Sequence, residues 1–356
     1  MIEIDASMGE GGGQIVRTCL ALAMCTGTAI TLHNIRAHRH NPGLRAQHLA
    51  AVRAAAAICS AQVTGDSTAS QLLSFRPGPI RPGHYEVDVG TAGSTMLVLQ
   101  TILPALSLCN GRSELLLRGG THNPRAPTFE FVRDAYLRLL QRVGFQAHLT
   151  LERHGFFPKG GGIVRASIEP FRRVGALELL ERGSIARRMA RVLISQLPDH
   201  IAQREISVLR ERLQLAPDSC LIERVDAHGA GNALYVRIDC AHLTTVFDGF
   251  GIRGVPAEKV ASTVAHDVQR YLDANVAVDR YLADQILLPL ALGSGGQFTT
   301  VPLSTHTQTN LAVIEKFLPL EHEIRELAPG RWSFSLRPRS GALTSSTDGL
   351  LRKEAD

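Results

Sequence analysis

Apolar residues along this chain recur in two rhythms. A period of two runs over short stretches and a period near 3.6 over longer ones, the pattern of a mixed α and β protein. Ile2-Glu3-Ile4-Asp5 alternates like a half-buried strand. Gly9-Glu10-Gly11-Gly12-Gly13-Gln14 then opens a helix with Ile15, Val16, Cys19, Leu20 and Ala23 at apolar positions. Gly27 is placed to take the left-handed conformation at its end. A second strand is expected over residues 29–35, a polar loop over 36–43, and an Ala-rich helix over 44–59.

The order then repeats. Tyr85 to Asp88 reads as a strand and Gly90 to Thr95 as a turn, followed by a helix through Leu97, Leu99, Ile102 and Leu106. A strand over 114–118, the loop Gly119-Gly120-Thr121-His122-Asn123-Pro124 and a helix to Val143 complete the unit. Asp5 matches Asp88 and Asn41 matches Asn123, which marks a repeat of about 80 residues.

A third copy is expected near the C-terminus. It has a helix over 284–292, a stop at Gly293 to Gly296, a strand over 298–301, a polar loop over 304–310 and a helix from Leu311 to Leu318. The stretch 184–275 has its own pattern of strands (189–195, 221–227, 233–239) and helices (199–213, 257–272). It reads as an inserted α/β domain. Residues 1–183 and 276–339 then form one repeat-built domain, and the polar tail 340–356 is expected to be disordered.

Composition narrows the class. With 44% hydrophobic and 20% charged residues in 356, the chain is globular and long enough for two cores. No apolar run reaches the length of a membrane span, and Met1 to Asp5 enters a strand pattern without a leader-like segment. A soluble cytoplasmic protein with no membrane partner is expected. The six cysteines are scattered and form no C-x-x-C pair, which suits buried thiols better than disulfides or zinc. A net charge of +5 permits an acidic partner without requiring one. Only four of the 38 basic residues are lysines. Arginine suits bidentate phosphate binding, but GC-rich codons produce the same bias.

Several positions carry candidate chemistry. The Gly9 to Gln14 turn lacks the Gly-Lys-Ser/Thr ending of a P-loop and the last glycine of a dinucleotide fingerprint. It still offers close backbone approach beside Glu10 and Arg17. Glu10 could hold a divalent metal bridging phosphates, or simply favour the helix N-terminus. Arg36, Arg39 and Arg45, with His38 and His40, suit terminal phosphates or a solvated basic surface. Tyr281 could stack a base. Asp284 could accept from a ribose or from a histidine N-H, or cap the helix expected there. His306, one of 14 histidines, stands in the turn feeding a helix N-terminus, a place that attracts anions and favours the neutral imidazole. It reads either as a nucleophile or as a hydrogen-bonding loop residue. Arg153 to Gly162 is a second glycine-dense turn.

Taken together, Gly9 to Gln14, Arg36 to Gln47, His154-Gly155-Phe156-Phe157-Pro158-Lys159-Gly160-Gly161-Gly162, Tyr281 to Gln285, and His306 ahead of Thr309-Asn310 resemble the RNA 3'-terminal phosphate cyclase family. The resemblance runs to about residue 338. It implies an α+β fold of three βαβαββ units around a pseudo-threefold axis, similar to enolpyruvyl transferases, with a smaller α/β insert in the third unit. It also implies an ATP-dependent conversion of an RNA 3'-terminal phosphate to a 2',3'-cyclic phosphate, through a histidine-AMP intermediate and an RNA-adenylate. On that match His306 is the nucleophile and Glu10 the metal-associated acid, with Mg or Mn as the ion. Gln100, Pro127, Tyr281, Leu282, Ala283, Asp284 and Gln285 surround the nucleotide. Arg17, Arg36, Arg39 and Gln47 lie near the triphosphate or RNA end, and Phe247 or Phe250 closes over adenine. The expected partners are RNA and ATP, and a homodimer is left open. Two other readings stand beside it: a noncatalytic RNA-binding factor in ribosomal RNA maturation, and enolpyruvyl transfer on a shared architecture.

Overall fold

The computed structural model describes residues 1–339, so the tail from 340 lies outside the described residues. Three copies of one topology account for most of the chain. The first consists of β1 (Ile2–Asp5), α1 (Gly13–Thr26), β2 (Ile30–His33), α2 (Ala46–Cys59), β3 (Gln62–Thr64) and β4 (Leu73–Arg76). The second has β5 (His84–Asp88), α3 (Thr95–Ser107) and β6 (Ser113–Gly119), then a π-helical segment (Phe131–Tyr136) running into α4 (Leu137–Arg142), β7 (Gln146–Arg153) and β8 (Gly162–Glu169). The third opens with β9 (Leu177–Leu179) and is interrupted by β10 (Ile185–Ser195), α5 (Asp199–Leu213), β11 (Cys220–Arg224), β12 (Gly231–Cys240), β13 (Thr244–Phe250) and α6 (Ala257–Ala274). It resumes with α7 (Arg280–Gln285), α8 (Leu287–Leu292), β14 (Gly296–Thr300), α9 (Thr305–Glu315), β15 (Leu320–Ala328) and β16 (Arg331–Pro338).

The sheets run β1-β2-β4-β3, β5-β6-β8-β7 and β9-β14-β16-β15. In each, the first two strands pair parallel and the remaining pairs are antiparallel. Identical order and polarity in three sheets is the three-unit βαβαββ architecture. The interrupting segment builds a fourth sheet, β11-β10-β12-β13, and with α5 and α6 buries a hydrophobic cluster separate from the one shared by the three units.

The helices of the repeats lie inward. In α3 every residue but Gln100 is buried, a sequence apolar on all sides because it packs on all sides. Helix α1 is nearly as enclosed, and it packs against α2, α3 and α9. Gly27 ends it at φ 67, in the left-handed conformation expected from the sequence. No helix among the described residues is long and apolar enough to cross a membrane.

Several elements depart from the sequence reading. The polar run 304–310 is not a loop: Ser304 caps α9, and the helix begins at Thr305, so His306 sits in its first turn. Threonine and asparagine lowered the helical signal, but the Ser304 cap and the burial of Thr307, Thr309 and Asn310 outweigh propensity. The helix expected over 284–292 instead starts at Arg280 behind the cap Asp279 and breaks at Ile286. Pro289 contributes to the break, because it has no N–H to offer the Gln285 carbonyl. Asp284 is therefore not a cap. The third unit's first strand, β9, is only three residues long and lies on the far side of the insert, which hid it from periodicity.

The glycine-dense turn before β8 is a place where backbones meet. A Cβ on Gly155 would lie 2.4 Å from the Gly119 carbonyl oxygen and 2.5 Å from the Gly162 nitrogen. One on Gly160, at φ 65, would lie 2.8 Å from Ala92 Cα. Neither obstacle is a side chain that can swing away. Gly155→Ala is accordingly expected to cost about 1–3 kcal/mol of stability, measured as a lowered urea midpoint. An unchanged midpoint would show that the backbone contact is not tight.

Candidate active site

The site is assembled where the turn before α1 meets the first turn of α9. Ser304 Oγ accepts from the Thr307 N–H at 3.1 Å and holds the helix start. Thr309 Oγ1 donates to the Thr305 carbonyl at 2.7 Å and accepts the Glu10 N–H at 3.3 Å. Gly9 passes so close that a Cβ there would lie 2.0 Å from Thr309 Oγ1, and its φ of 54 disfavours any other residue. Glu10 is thereby delivered to the histidine. Its Oε2 lies 2.7 Å from His306 Nε2, and its Oε1 accepts from Arg39 Nη2 at 2.5 Å. The same guanidinium nitrogen donates to the Glu10 carbonyl at 3.2 Å.

Asp284 approaches from α7. Because Asp279 supplies the cap, accepting from the Tyr281 and Leu282 N–H groups, the Asp284 carboxylate is free for the interior. Gln14 Nε2 donates to both of its oxygens, at 2.8 and 2.9 Å. Asn310 Nδ2 donates to its backbone carbonyl at 3.0 Å, and Thr18 Oγ1 donates to Asn310 Oδ1 at 2.8 Å. Burial pushes Asp284 up to about 6, against the opposing pull of Gln14, Asn310 and Arg17. Burial also lowers Arg17 to about 10, which leaves it charged at neutral pH. Burial lowers His306 from its ordinary value, which favours the neutral imidazole. Its Nδ1 is buried and lies 3.5 Å from Asp284 Oδ2 without the alignment of a hydrogen bond. Its Nε2 faces Glu10 on the cleft side.

A cleft of about 1040 Å³ opens on these groups. Of the residues singled out in the sequence, Glu10, Arg17, Arg39, Gln100, Pro127, Tyr281, Asp284, Gln285 and His306 line it. Gln100 and Gln285 hydrogen-bond each other across it. Phe250 also lines it, whereas Phe247 is buried against Tyr271 in the insert's own core. Leu282 and Ala283 turn their side chains into the shared core. Arg36 turns inward on its own loop, donating to the Asn41 and Gly43 carbonyls at 2.8 Å. Gln47 Oε1 accepts from the Ser94 N–H at 3.4 Å. Neither residue borders the cleft.

Other groups in the cleft carried little sequence signal. Gln14 read as a defect in a phosphate loop, yet its amide clamps Asp284. Lys259 and Asp248 enter from the insert, and Arg125 and Arg280 add positive charge. Asp248 is pushed up to about 6 by burial and accepts from Thr128 Oγ1 at 3.0 Å. Glu10 fits a hard divalent ion: it is a half-exposed carboxylate at the cleft, and its oxygens keep lone pairs beyond those facing Arg39 and His306. One carboxylate completed by phosphate oxygens is an ordinary magnesium or manganese arrangement.

Residues 8–324 match the family model described as RNA 3'-terminal phosphate cyclase. The chain belongs to the RNA 3'-terminal phosphate cyclase family. A cyclase of that name from Salmonella enteritidis is 46% identical over 320 residues, 90% of this chain and 94% of the relative. The cyclase from Koribacter versatilis is 45% identical over 343 residues, 96% and 97% of the two chains. That of Ralstonia nicotianae is 49% identical over 320 residues, covering 90% and 92%. A solved enolpyruvyl transferase from Streptomyces tendae is 11% identical with a TM-score of 0.36, covering 94% of this chain and 47% of that one. That likeness is too slight to bear on the fold, which rests on the strand order.

Asp284 makes stability depend on pH. Its folded-state value of about 6 exceeds the ordinary 3.8, so the folded state holds this proton more tightly than the unfolded chain does. The stabilisation is complete below the ordinary value and is lost as pH rises through 6. Asp284→Asn removes the dependence. Relative to wild type, the variant should gain up to about 3 kcal/mol between pH 4 and pH 7 in urea unfolding. An equal difference at both pH values would contradict it.

Proposed function

We propose that this chain is an ATP-dependent RNA 3'-terminal phosphate cyclase that works through a covalent histidine-AMP intermediate. The supporting observation is the pairing of a neutral His306, its Nε2 facing Glu10 at 2.7 Å, with the guanidiniums of Arg17 and Arg39 in one cleft. The buried Nδ1 cannot reach a substrate, so Nε2 is the attacking atom. At 2.7 Å the Glu10 carboxylate accepts the Nε2 proton in this arrangement. Attack requires that proton on Nδ1, 3.5 Å from the Asp284 carboxylate, with Glu10 turned from the ring toward a divalent ion it would hold.

The sequence of bonds follows. Nε2 attacks the α-phosphorus of ATP, an N–P bond forms, and the bond to pyrophosphate breaks. The RNA 3'-phosphate oxygen then displaces the histidine, giving an RNA-adenylate. The vicinal 2'-hydroxyl attacks the 3'-phosphorus, its proton passes to solvent, and the P–O bond to AMP breaks, leaving the cyclic phosphate. Each displacement has a good leaving group, which is the benefit of a covalent route. Arg17 and Arg39 offset negative charge as pyrophosphate departs. Glu10 would hold a divalent ion, which when bound would further neutralise the triphosphate. Tyr281, 45% exposed at the cleft and covered on one face by the Arg280 guanidinium, offers a stacking surface for adenine with Phe250.

Incubation with α-labelled ATP and Mg or Mn should give an acid-labile, protein-bound AMP. His306→Ala should reduce that label at least about a thousandfold. A variant that still labels would refute His306 as nucleophile. Wild-type protein that never labels yet binds RNA would instead favour a noncatalytic RNA-binding factor. Glu10→Ala should shift the metal dependence of labelling to higher concentration by roughly tenfold or more, since one charged ligand is lost. An unchanged titration would remove Glu10 from the metal site.

A further inference from the structure

The second unit has its own version of the connection that carries His306. Between β6 and the π-helical segment, His122 and Glu130 are buried. His154 reaches them from the glycine-dense turn at the end of β7. His122 Nε2 lies 2.7 Å from Glu130 Oε2, and the His122 and His154 rings stack with centroids 5.2 Å apart. One ligand atom from each of the three residues lies within 4.8 Å of the others. The hydrogen bond to Glu130 gives His122 a structural role but leaves the His154 ring without a hydrogen-bonded protein partner among the described residues.

We propose that His122, Glu130 and His154 form a binding site for a divalent transition metal of the zinc class, separate from the nucleotide cleft. Two imidazoles and one carboxylate are a common zinc donor set, whereas magnesium and calcium prefer oxygen alone. Tetrahedral donors about 2.0–2.2 Å from an ion lie roughly 3.5 Å apart. His122 Nε2 and Glu130 Oε2, now hydrogen-bonded at 2.7 Å, would therefore part by under about 1 Å to admit the ion, while His154 closes in from within 4.8 Å. The outer contacts suit a ligand. His122 Nδ1 is 2.8 Å from Thr121 Oγ1, which accepts the Gly155 N–H at 2.9 Å, so the ring's orientation is fixed from behind. An entry path exists as well. Glu130 and His154 line a cavity of about 640 Å³ between the second unit and the insert, leaving a fourth position for water or an anion. His154 also bridges to Ala227 of the insert through its backbone. A bound ion therefore joins three segments at this seam: the connection after β6, the glycine-dense turn and, through that turn, the insert.

The test is titration of the full chain with Co²⁺, followed by metal analysis after gel filtration with Zn²⁺. Wild type should develop the absorption of tetrahedral Co²⁺ and retain about one equivalent of zinc. His154 is half-buried at a cavity wall, so His154→Asn should fold as wild type does. This variant should lose the absorption, the retained zinc and any rise in Tm on adding zinc. Glu10→Gln should keep all three, which separates this site from the cleft and makes the result independent of the adenylation test. Absence of the Co²⁺ signal in wild type would overturn the proposal. So would a signal unaffected by His154→Asn, or one abolished by Glu10→Gln alone.

Discussion

The candidate site depends on one close approach, that of the Gly9–Gly13 turn to the first turn of α9. Thr309 Oγ1 lies where a Cβ of residue 9 would be, and from that contact the Glu10 backbone is hydrogen-bonded to the third unit. Both the turn and the helix start present the positive, N-terminal end of a helix, so each is suited to anions. Placed together, they put a carboxylate, a histidine and two guanidiniums around one cleft. The repeat architecture makes the meeting possible, because α1 and α9 pack directly on one another although they lie at opposite ends of the sequence.

Charge in the cleft is balanced without complete pairing. Glu10 is shared between Arg39 and His306, while Asp284 is held by neutral amides with Arg17 nearby. A carboxylate solvated by Gln14 and Asn310 instead of a direct ion pair can take up or release a proton near neutrality. The same burial lowers His306 from its ordinary value. Burial thus does two kinds of work at adjacent residues: it raises an acid and lowers a base, bringing both toward the pH at which they exchange protons.

Much of this was legible in the sequence. The three-unit repeat showed because Asp5 and Asn41 have counterparts at Asp88 and Asn123, and because helix and strand rhythms alternate in the same order. Glu10, Asp284 and His306 each had an ordinary structural reading in their local sequence, as a helix-start acid, a helix cap and a loop residue, and only the resemblance to the cyclase family singled them out. The failures are also physical. Charge does not reveal direction, and Arg36 closes its own loop where Arg39, three residues on, reaches Glu10. Gln14 has no meaning until Asp284, far away in sequence, is brought against it. The start of α9 was placed too late because its inward-facing residues, Thr307, Thr309 and Asn310, are polar, a combination that amphipathic periodicity cannot detect.

The interrupted third sheet sets the order in which the molecule can be completed. Strand β9 is made before the insert, but its partner β14 follows it, and the histidine-bearing helix comes later still. During synthesis from the N-terminus, the first two units and the insert can fold while β9 waits unpaired, since domains form as their residues emerge. The glycine turn and Glu10 are likewise present early and incomplete. The Glu10–His306 contact then forms only when nearly the whole chain has been made, so a truncated product would hold the glycine turn without the histidine that faces it.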